Sequence, residues 1–183
     1  MTNRYSAIIC EGAAEQAIVD ILLEHNCLIV DKKYLIEHGP IRIRSAREFS
    51  DKYLGKDFGE KIDIYRILDS RREKFNIGNK KQKAIFENKI NVINVITPPE
   101  IELLIIVDKD KYVDFDKSRI SKPSDYCKQK LKITRVKEYQ YVKDYFCDLT
   151  RLIAAIKKVH QIKHKNVPKG YKTLYELLKD EYK

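Results

Sequence analysis

The segment at residues 6–15 constrains the fold of this chain more than any other. An apolar run ends at Cys10 and is followed by Glu11 and Gly12, and Glu15 falls one turn into a segment with helical periodicity. The pattern predicts a strand, a sharp turn permitted by glycine, and a helix. Glu11 is then at the carboxyl end of the strand, where open α/β sheets bind ligands. Because residues four apart share a helix face, we expect Glu15 to face the same crevice.

Two carboxylates that converge at a strand end offer the oxygen ligands that a hard divalent cation such as Mg²⁺ prefers. Glu15 also has a simpler explanation, because the helix macrodipole favours an acidic residue near any helix N-terminus. That explanation is weaker for Glu11, which directly follows an apolar strand.

The alternation of strand-like and helix-like segments predicts the fold class. Apolar or alternating runs predict strands at residues 6–10, 28–30, 41–44, 62–68 and 90–96. Helical periodicity and capping residues predict helices after residue 12, after Ser45, at 79–88, and over most of the chain beyond residue 122. Strands that alternate with helices, followed by helices alone, imply an α/β fold with an open, mostly parallel sheet, flanking helices and a helical C-terminal part.

Two segments compete to supply a further acid to the site. The run at 62–68 ends in Asp69, and a run at 104–107 is followed by Asp108 and Asp110. The second contains an Asp-x-Asp pair, whose alternating carboxylates project to one side of a strand and can share a metal ion. On motif alone, the second segment is the better candidate.

The residues before the second segment favour a helix instead. Thr97, Pro98 and Glu100 are typical of a helix start, with threonine as the N-cap, proline at the first helical position and glutamate at the third. The helix would span residues 98–107, whereas the β-branched run at 105–107 favours a strand.

We therefore take Asp69 as the site acid and keep Asp108 and Asp110 as the alternative. In the helical interpretation those two aspartates lie near a helix end on the surface, the usual place for such charges. Glu100 and Glu102 are then near a helix start, and one of them, of which Glu102 is our candidate, can enter the crevice.

The chain is strongly basic. It has 37 Lys and Arg residues against 27 Asp and Glu, a formal net charge of +10, and most of the excess follows residue 109. This balance favours a polyanionic partner, nucleic acid before an acidic membrane, although solubility alone is the alternative explanation. The candidate phosphate contacts are Arg71, Arg72, Lys128, Lys130, Lys132, Lys157 and Lys158.

Targeting and redox features are limited. The first residues have no apolar leader region, and no run approaches the roughly 18 apolar residues of a membrane-spanning helix. The four cysteines have no CxxC spacing, which is typical of reduced thiols. We expect a cytoplasmic protein with no membrane partner.

The order of the acidic motifs resembles the Toprim domain of topoisomerases, primases and phage-defence nucleases. The resemblance rests on Glu11-Gly12-x-x-Glu15 after the first strand and on Asp69 after a later strand, and it covers roughly residues 5–115. The run Thr-Pro-Pro-Glu-Ile-Glu-Leu-Leu resembles the extra helix of RloB-like Toprim proteins. It implies a Toprim-like core, which we place at 1–118. A basic helical extension at 119–183 would pack on the same domain.

The resemblance implies a Mg²⁺- or Mn²⁺-dependent nuclease, a hydrolase that acts on RNA or DNA, as in phage defence. Glu11 would be the general acid/base or a metal ligand, and Asp69 would hold the metal with Glu15 or Glu102. Toprim proteins usually have Asp-x-Asp on the later strand, whereas here serine and arginine follow Asp69. This departure leaves two alternatives: a nucleic-acid-binding module without catalysis, and a regulatory or interaction protein of a defence system with a protein partner.

A pair of histidines in the basic C-terminal region has a metal-like spacing. His160 and His164 are four residues apart, as in the helix of zinc proteases, but Gln161 stands where those enzymes need a glutamate as general base. The sequence therefore favours a solvated basic helix over a catalytic zinc site.

Overall fold

The computed structural model describes residues 4–43, 45–56, 58–59, 61–68, 75, 80–97 and 100–183. In these ranges the strands are β1 (Ser6–Cys10), β2 (Ile62–Leu68) and β3 (Ile90–Ile96). The helices are α1 (Ala13–Glu24), α2 (Ala46–Tyr53), α3 (Lys80–Phe86), α4 (Leu103–Asp108), α5 (Tyr112–Lys117), α6 (Pro123–Gln129), α7 (Tyr139–Tyr145) and α8 (Leu149–Lys163). None of these helices is both long enough and apolar enough to cross a membrane.

The three strands form a parallel sheet in the order β1, β2, β3. Single residues continue the sheet at both edges: Ile41 pairs with Ile9 beside β1, and Lys172 pairs with Val95 beside β3. The predicted α/β class with an open parallel sheet is confirmed. The carboxyl ends of all three strands lie at one edge of this sheet, where the loop after β1 begins.

Helices cover both faces of the sheet. Side chains alternate between the two faces along each strand, so each strand contributes to both packing layers. One face, with Cys10 and Ile67, packs in a large apolar cluster that includes α1, α4 and α8. The other face, with Ile9 and Ile64, packs against Phe49 of α2. β1 is buried along its whole length and therefore reads as a nearly continuous apolar run, whereas β3 is only partly buried and has an exposed Asn91.

The C-terminal helices pack on the same apolar cluster as the sheet. Helix α8 packs against α4, and α7 packs against α1. Polar contacts hold the second pair: the Tyr139 hydroxyl donates to Asp20 Oδ2 at 2.9 Å, and Lys143 Nζ donates to Glu24 Oε1 at 2.6 Å. The helix α4 is buried along almost its whole length, so it is an inner element rather than a surface helix.

Capping residues determine where several helical segments begin, as the sequence predicted. Ser45 Oγ accepts a hydrogen bond from the third amide of α2 at 3.4 Å. Asp148 Oδ1 accepts one from the Thr150 amide at 2.9 Å at the start of α8. Thr173 and Glu176 form a reciprocal capping box on a late 3-10 turn. Each contact satisfies an amide that has no partner within the helix.

Two predicted strands are wrong in the described part of the chain. The segment at 28–30 contributes one antiparallel bridge, from Leu28 to Leu178, and the segment at 41–44 contributes one parallel bridge, from Ile41 to β1. Both segments contribute buried residues to the core, Leu28 and Val30 in the first and Ile41 and Ile43 in the second. Such short patterns look the same whether or not a neighbouring strand pairs with them.

The segment before Asp108 is a helix rather than a strand, as predicted, but its predicted start is wrong. Helix α4 begins at Leu103 with Glu102 at the N-cap. Thr97 is not the cap, because its hydroxyl and its amide both donate to the Leu68 carbonyl, at 3.3 and 3.1 Å. These bonds tie Thr97 to the neighbouring strand β2, so the chain stays attached to the sheet at this residue. Pro98 and Pro99 lie outside the described residues.

Candidate functional site

A cavity at the carboxyl end of β1 is lined by three of the predicted site acids. Glu11 comes from the loop after β1, Glu15 from the first turn of α1, and Glu102 from the N-cap of α4. The cavity has a volume of about 300 Å³. Its lining, which defines the carboxylate cavity, consists of Glu11, Gly12, Ala13, Ala14, Glu15, Glu102 and Lys137.

The missing side chain of Gly12 leaves the space that the Glu15 carboxylate occupies. A Cβ atom on Gly12 would collide with Glu15 Oε2, so the carboxylate lies directly over the glycine backbone. Gly12 has an extended conformation, with φ −121° and ψ 172°, which any residue can adopt. The glycine is therefore required for close approach and not, as the sequence suggested, for a sharp turn. Glu15 itself is only 3% exposed.

Lys137 is a cation of the cavity that the sequence analysis did not identify. Its Nζ lies 3.8 Å from Glu102 Oε1 and 3.9 Å from Glu100 Oε1. Glu102 is 3% exposed, whereas the lysine side chain is 52% exposed. The other oxygen of Glu100 accepts a hydrogen bond from the Ser124 amide at 2.9 Å, at the start of α6. The lysine thus lies at the rim of the cavity, beside a buried carboxylate.

The negative charge of these glutamates contributes to the raised pKa values of two buried thiols. Burial raises the pKa of Cys10 well above its usual value, and the charge of Glu15 raises this pKa further. Burial also raises the pKa of Cys127 to about 12, with added contributions from Glu102 and Glu100. Both thiols therefore stay protonated at neutral pH, and neither is a nucleophile. The same negative potential favours a cation in the carboxylate cavity.

The donor atoms of the cavity fit a hard divalent cation, since carboxylate oxygens are the preferred ligands of Mg²⁺ and suit Mn²⁺. Among the residues that the structure describes, however, no group of three or more His, Cys, Asp or Glu residues is arranged to hold a metal ion. Asp69, the predicted further ligand, lies outside the described residues. Strands β1 and β2 are adjacent and parallel, which a site shared by Glu11 and Asp69 requires.

The alternative acids, Asp108 and Asp110, lie at the opposite end of α4, away from the lining of the carboxylate cavity. Asp108 accepts hydrogen bonds from Arg151, at 3.2 and 2.5 Å, and from the Tyr145 hydroxyl at 2.6 Å. Burial alone would raise the pKa of Asp108, but the hydrogen bonds from Arg151 and Tyr145 outweigh it and hold this pKa below its usual value. Asp110 is exposed and pairs with Lys158 at 3.0 Å.

The predicted phosphate contacts differ in their surroundings. The exposed ones, at and after the end of α6, are Lys128, Lys130 and Lys132. Lys158 is also exposed, but its Nζ donates to Asp110 at 3.0 Å and would have to leave this partner to bind a phosphate. Lys157 is half-buried on α8. Arg71 and Arg72 lie outside the described residues.

The fold and the cavity define this chain as an α/β protein with a parallel sheet and an acidic cavity at the carboxyl end of its first strand. No protein-family model, curated protein or solved structure matches it. The Toprim-like assignment therefore rests on the order of the sequence motifs and stays a prediction.

Proposed function

We propose that this chain is a Toprim-like, Mg²⁺- or Mn²⁺-dependent nuclease that acts on RNA or DNA. One observation carries the proposal: three glutamates from three separate elements, Glu11, Glu15 and Glu102, line a single cavity at the carboxyl end of β1. Open α/β sheets bind their ligands at this edge. Two of the three carboxylates are almost fully buried, at 3% exposure, and carboxylate oxygens are the ligands that Mg²⁺ prefers.

Each residue of the cavity has a role in this proposal. Glu11 is the general acid/base or a direct ligand, and Glu15 and Glu102, with Asp69, are the residues that would hold the ion. A bound divalent ion would stabilise the negative charge that develops on the phosphate. The Lys137 ammonium at the rim is placed to contact an anionic substrate as it approaches the cavity.

Exposed lysines and the lysine of the cavity rim support a nucleic-acid substrate. Lys128, Lys130 and Lys132 are exposed, and Lys137 follows in the same stretch of chain and lines the cavity. Exposed cations together with a cation at the rim of an acidic site are suited to hold a phosphodiester backbone while the acids act on one bond. Binding should then weaken with salt, the logarithm of affinity falling by about 0.7–0.9 per phosphate contacted.

A nucleic-acid-binding module without catalysis is the second candidate. It is favoured by the position of Lys137, whose ammonium lies 3.8 Å from Glu102 and neutralises part of the charge that a metal would otherwise neutralise. The absence of a second aspartate after Asp69 in the sequence favours the same candidate. In this case the chain would bind nucleic acid with steep salt dependence and cleave nothing.

The test is a cleavage assay on mixed RNA and DNA with Mg²⁺, with Mn²⁺ and with EDTA. We expect cleavage that needs the metal and that Glu15→Gln strongly reduces, with partial recovery at high Mn²⁺. Glu181→Gln is the matched control, because Glu181 is an exposed glutamate outside the cavity lining, and it should leave cleavage unchanged.

The outcomes of this assay separate the candidates. Salt-sensitive binding of nucleic acid without cleavage of any substrate would replace the nuclease by the binding module. Absence of binding even at low salt would contradict both and would indicate a regulatory protein with a protein partner. Cleavage that persists in EDTA would contradict the metal-dependent mechanism.

A further inference from the structure

The end of α8 brings two histidine rings together, His160 in the last turn of the helix and His164 at its C-cap. His160 and His164 stack with ring centroids 5.3 Å apart and an interplanar angle of 29°. His160 also stacks on Tyr175, at 4.3 Å between centroids, so its ring orientation is fixed by packing. These residues are not part of the carboxylate cavity, and the proposed nuclease does not use them.

The hydrogen bonds of His164 determine its tautomer. Its Nδ1 lies 3.0 Å from the His160 carbonyl oxygen and 3.2 Å from that of Gln161. A carbonyl oxygen can only accept, so Nδ1 must carry the proton and donate. In the neutral ring, Nε2 of His164 therefore keeps its lone pair.

The hydrogen bonds of His160 lead to the same tautomer through Thr173. The Thr173 hydroxyl lies 3.0 Å from His160 Nδ1 and 3.1 Å from Glu176 Oε2, and that carboxylate oxygen also accepts from the Thr173 amide at 2.7 Å. An ionised carboxylate can only accept, so the single hydroxyl proton goes to Glu176. The threonine oxygen then accepts from His160 Nδ1, which leaves Nε2 of His160 with its lone pair.

We propose that His160 and His164 form a binding site for a divalent d-block ion such as Ni²⁺, Zn²⁺ or Cu²⁺, with both Nε2 atoms as ligands. Imidazole nitrogen suits these ions, whereas it does not suit Mg²⁺. Histidine ligands of metals almost always donate their other ring N–H to a carbonyl, a carboxylate or water, which fixes the tautomer. Here one ring donates to backbone carbonyls, and the other donates to a hydroxyl that is bound to a carboxylate.

The surroundings of the pair are compatible with an ion that also keeps solvent ligands. The separation of 5.3 Å between the ring centroids leaves room for one ion with a bond of about 2.0–2.1 Å to a nitrogen of each ring. His164 is exposed, so water can complete the coordination sphere. Lys163 and Lys165 lie next to the pair in the sequence and weaken the binding of any cation.

The experiment is a calorimetric titration of the untagged full chain with Ni²⁺ in a buffer that does not coordinate metals. Excess Mg²⁺ is present so that it occupies the carboxylate cavity. Under this condition we expect one saturable Ni²⁺ site, and a loss of affinity of about tenfold or more in His164→Gln, a change at an exposed residue that leaves folding intact. The chain has four histidines, so His25→Gln and His38→Gln are matched controls that should bind as the wild type does. Cys147→Ser serves as a further control, because Cys147 is an exposed thiol.

The Thr173 contact supplies a second, independent arm. Thr173→Val keeps the shape but removes the hydroxyl, and it should weaken Ni²⁺ binding by about 10–100-fold, the usual effect of losing such a supporting contact. Thr173→Ser keeps the hydroxyl and should bind normally. Absence of saturable Ni²⁺ binding, or binding that is unchanged in His164→Gln, overturns the proposal. A further increase in Mg²⁺ should not compete, and competition by Mg²⁺ would also overturn it because it would place the ion among carboxylates.

Discussion

The two ends of α4 both have acidic side chains, but in different surroundings. At the start of the helix, Glu102 is buried in a cavity with two other glutamates and has a lysine at 3.8 Å. At the end, Asp108 is held by Arg151 and by the Tyr145 hydroxyl at 2.6 Å. The fork of the arginine matches a carboxylate with two hydrogen bonds, whereas an ammonium nearly 4 Å away is a looser counter-ion.

This difference separates an acid whose two oxygens are held by an arginine and a tyrosine from one that lines a cavity. Asp108 joins α4 to α8, and its oxygens already have strong donors, so it has little capacity left for a ligand. The glutamates of the carboxylate cavity face a space of about 300 Å³, in which a ligand can approach them. The following predictions test this contrast, from the largest expected effect to the smallest.

Replacement of Glu11 by glutamine should have the largest effect. Glu11→Gln keeps the shape of the side chain but removes its titrating group, and the loss of a general acid/base should reduce the cleavage rate by about 10²–10⁴. The matched change at the end of α4, Asp108→Asn, should leave the cleavage rate unchanged. Rates of nucleic-acid cleavage at saturating Mg²⁺ measure both effects. Equal losses of cleavage rate in the two variants would contradict the contrast between Asp108 and the acids of the carboxylate cavity.

Truncation of Asp108 should instead affect stability. Asp108→Ala removes the acceptor of Arg151 and of the Tyr145 hydroxyl, and it should lower the free energy of unfolding by about 1.5–3 kcal/mol, the range for a hydrogen bond to a charged group. Urea denaturation followed by circular dichroism measures this change. Wild-type stability in the variant would show that the contact contributes nothing to the fold.

The pH dependence of the stability that the ionised Asp108 contributes gives a check on the cause of this contribution. The pKa of Asp108 in the folded protein is below its unfolded value of about 3.9. A lowered pKa contributes stability above the unfolded pKa, and this contribution disappears as the pH falls through the folded pKa. The stability difference between wild type and Asp108→Asn should therefore be complete at pH 7 and shrink below about pH 4. A difference that is constant down to pH 2 would indicate a packing effect instead.

A methyl group at Gly12 should disturb the carboxylate cavity without disturbing the fold. Gly12→Ala pushes the Glu15 carboxylate from its place, and we expect cleavage to fall by about tenfold or more, since small misplacements at a reactive site are costly. The melting temperature should change little, because the backbone at Gly12 is extended. Gly55→Ala is the control, because no atom lies within 4 Å of the added methyl group. Full activity in Gly12→Ala would show that the position of Glu15 is unimportant.

The exposed pair between Lys158 and Asp110 should have the smallest effect. The Asp110 side chain is 91% exposed and that of Lys158 is 49% exposed. Lys158→Gln should change the free energy of unfolding by at most about 1 kcal/mol, as is typical of surface ion pairs. At about 1 M salt the change should vanish, because charges are then screened over roughly 3 Å. A larger effect that is insensitive to salt would show that this pair stabilises the fold as Asp108 does.

Much of the sheet was predictable from the sequence because its strands are rich in apolar and β-branched residues. The bounds of β1, β2 and β3 coincide with the apolar runs that predicted them. The helix before Asp108 was predictable as a helix, but its start was not. The threonine-proline-proline run looks like a helix start, while the side chain of Thr97 is bonded to the neighbouring strand through Leu68, a contact between residues 29 apart. A local pattern cannot reveal such a contact.

The carboxylate cavity was only partly predictable from the sequence. Glu11 and Glu15 are close in the sequence, and the strand-turn-helix pattern brings them to one cavity. Lys137 comes from a turn beyond α6 and has no motif of its own, because its place depends on how α4, α6 and α7 pack together. The reason for Gly12 was also hidden, since only the position of the Glu15 carboxylate shows that a side chain would not fit.

The single-residue bridge between Val95 and Lys172 has a consequence for how the protein folds. These residues are 77 positions apart in the sequence (172 minus 95), so the outer side of β3 gains its hydrogen bonds only after a long loop has closed. Contacts between distant residues form late and slowly. Until then, the Asn94 carbonyl and the Ile96 amide, which bond to Lys172 in the folded chain, are open to pairing with another molecule. Refolding yield should therefore decrease as the protein concentration rises, with β3 as the strand that initiates aggregation.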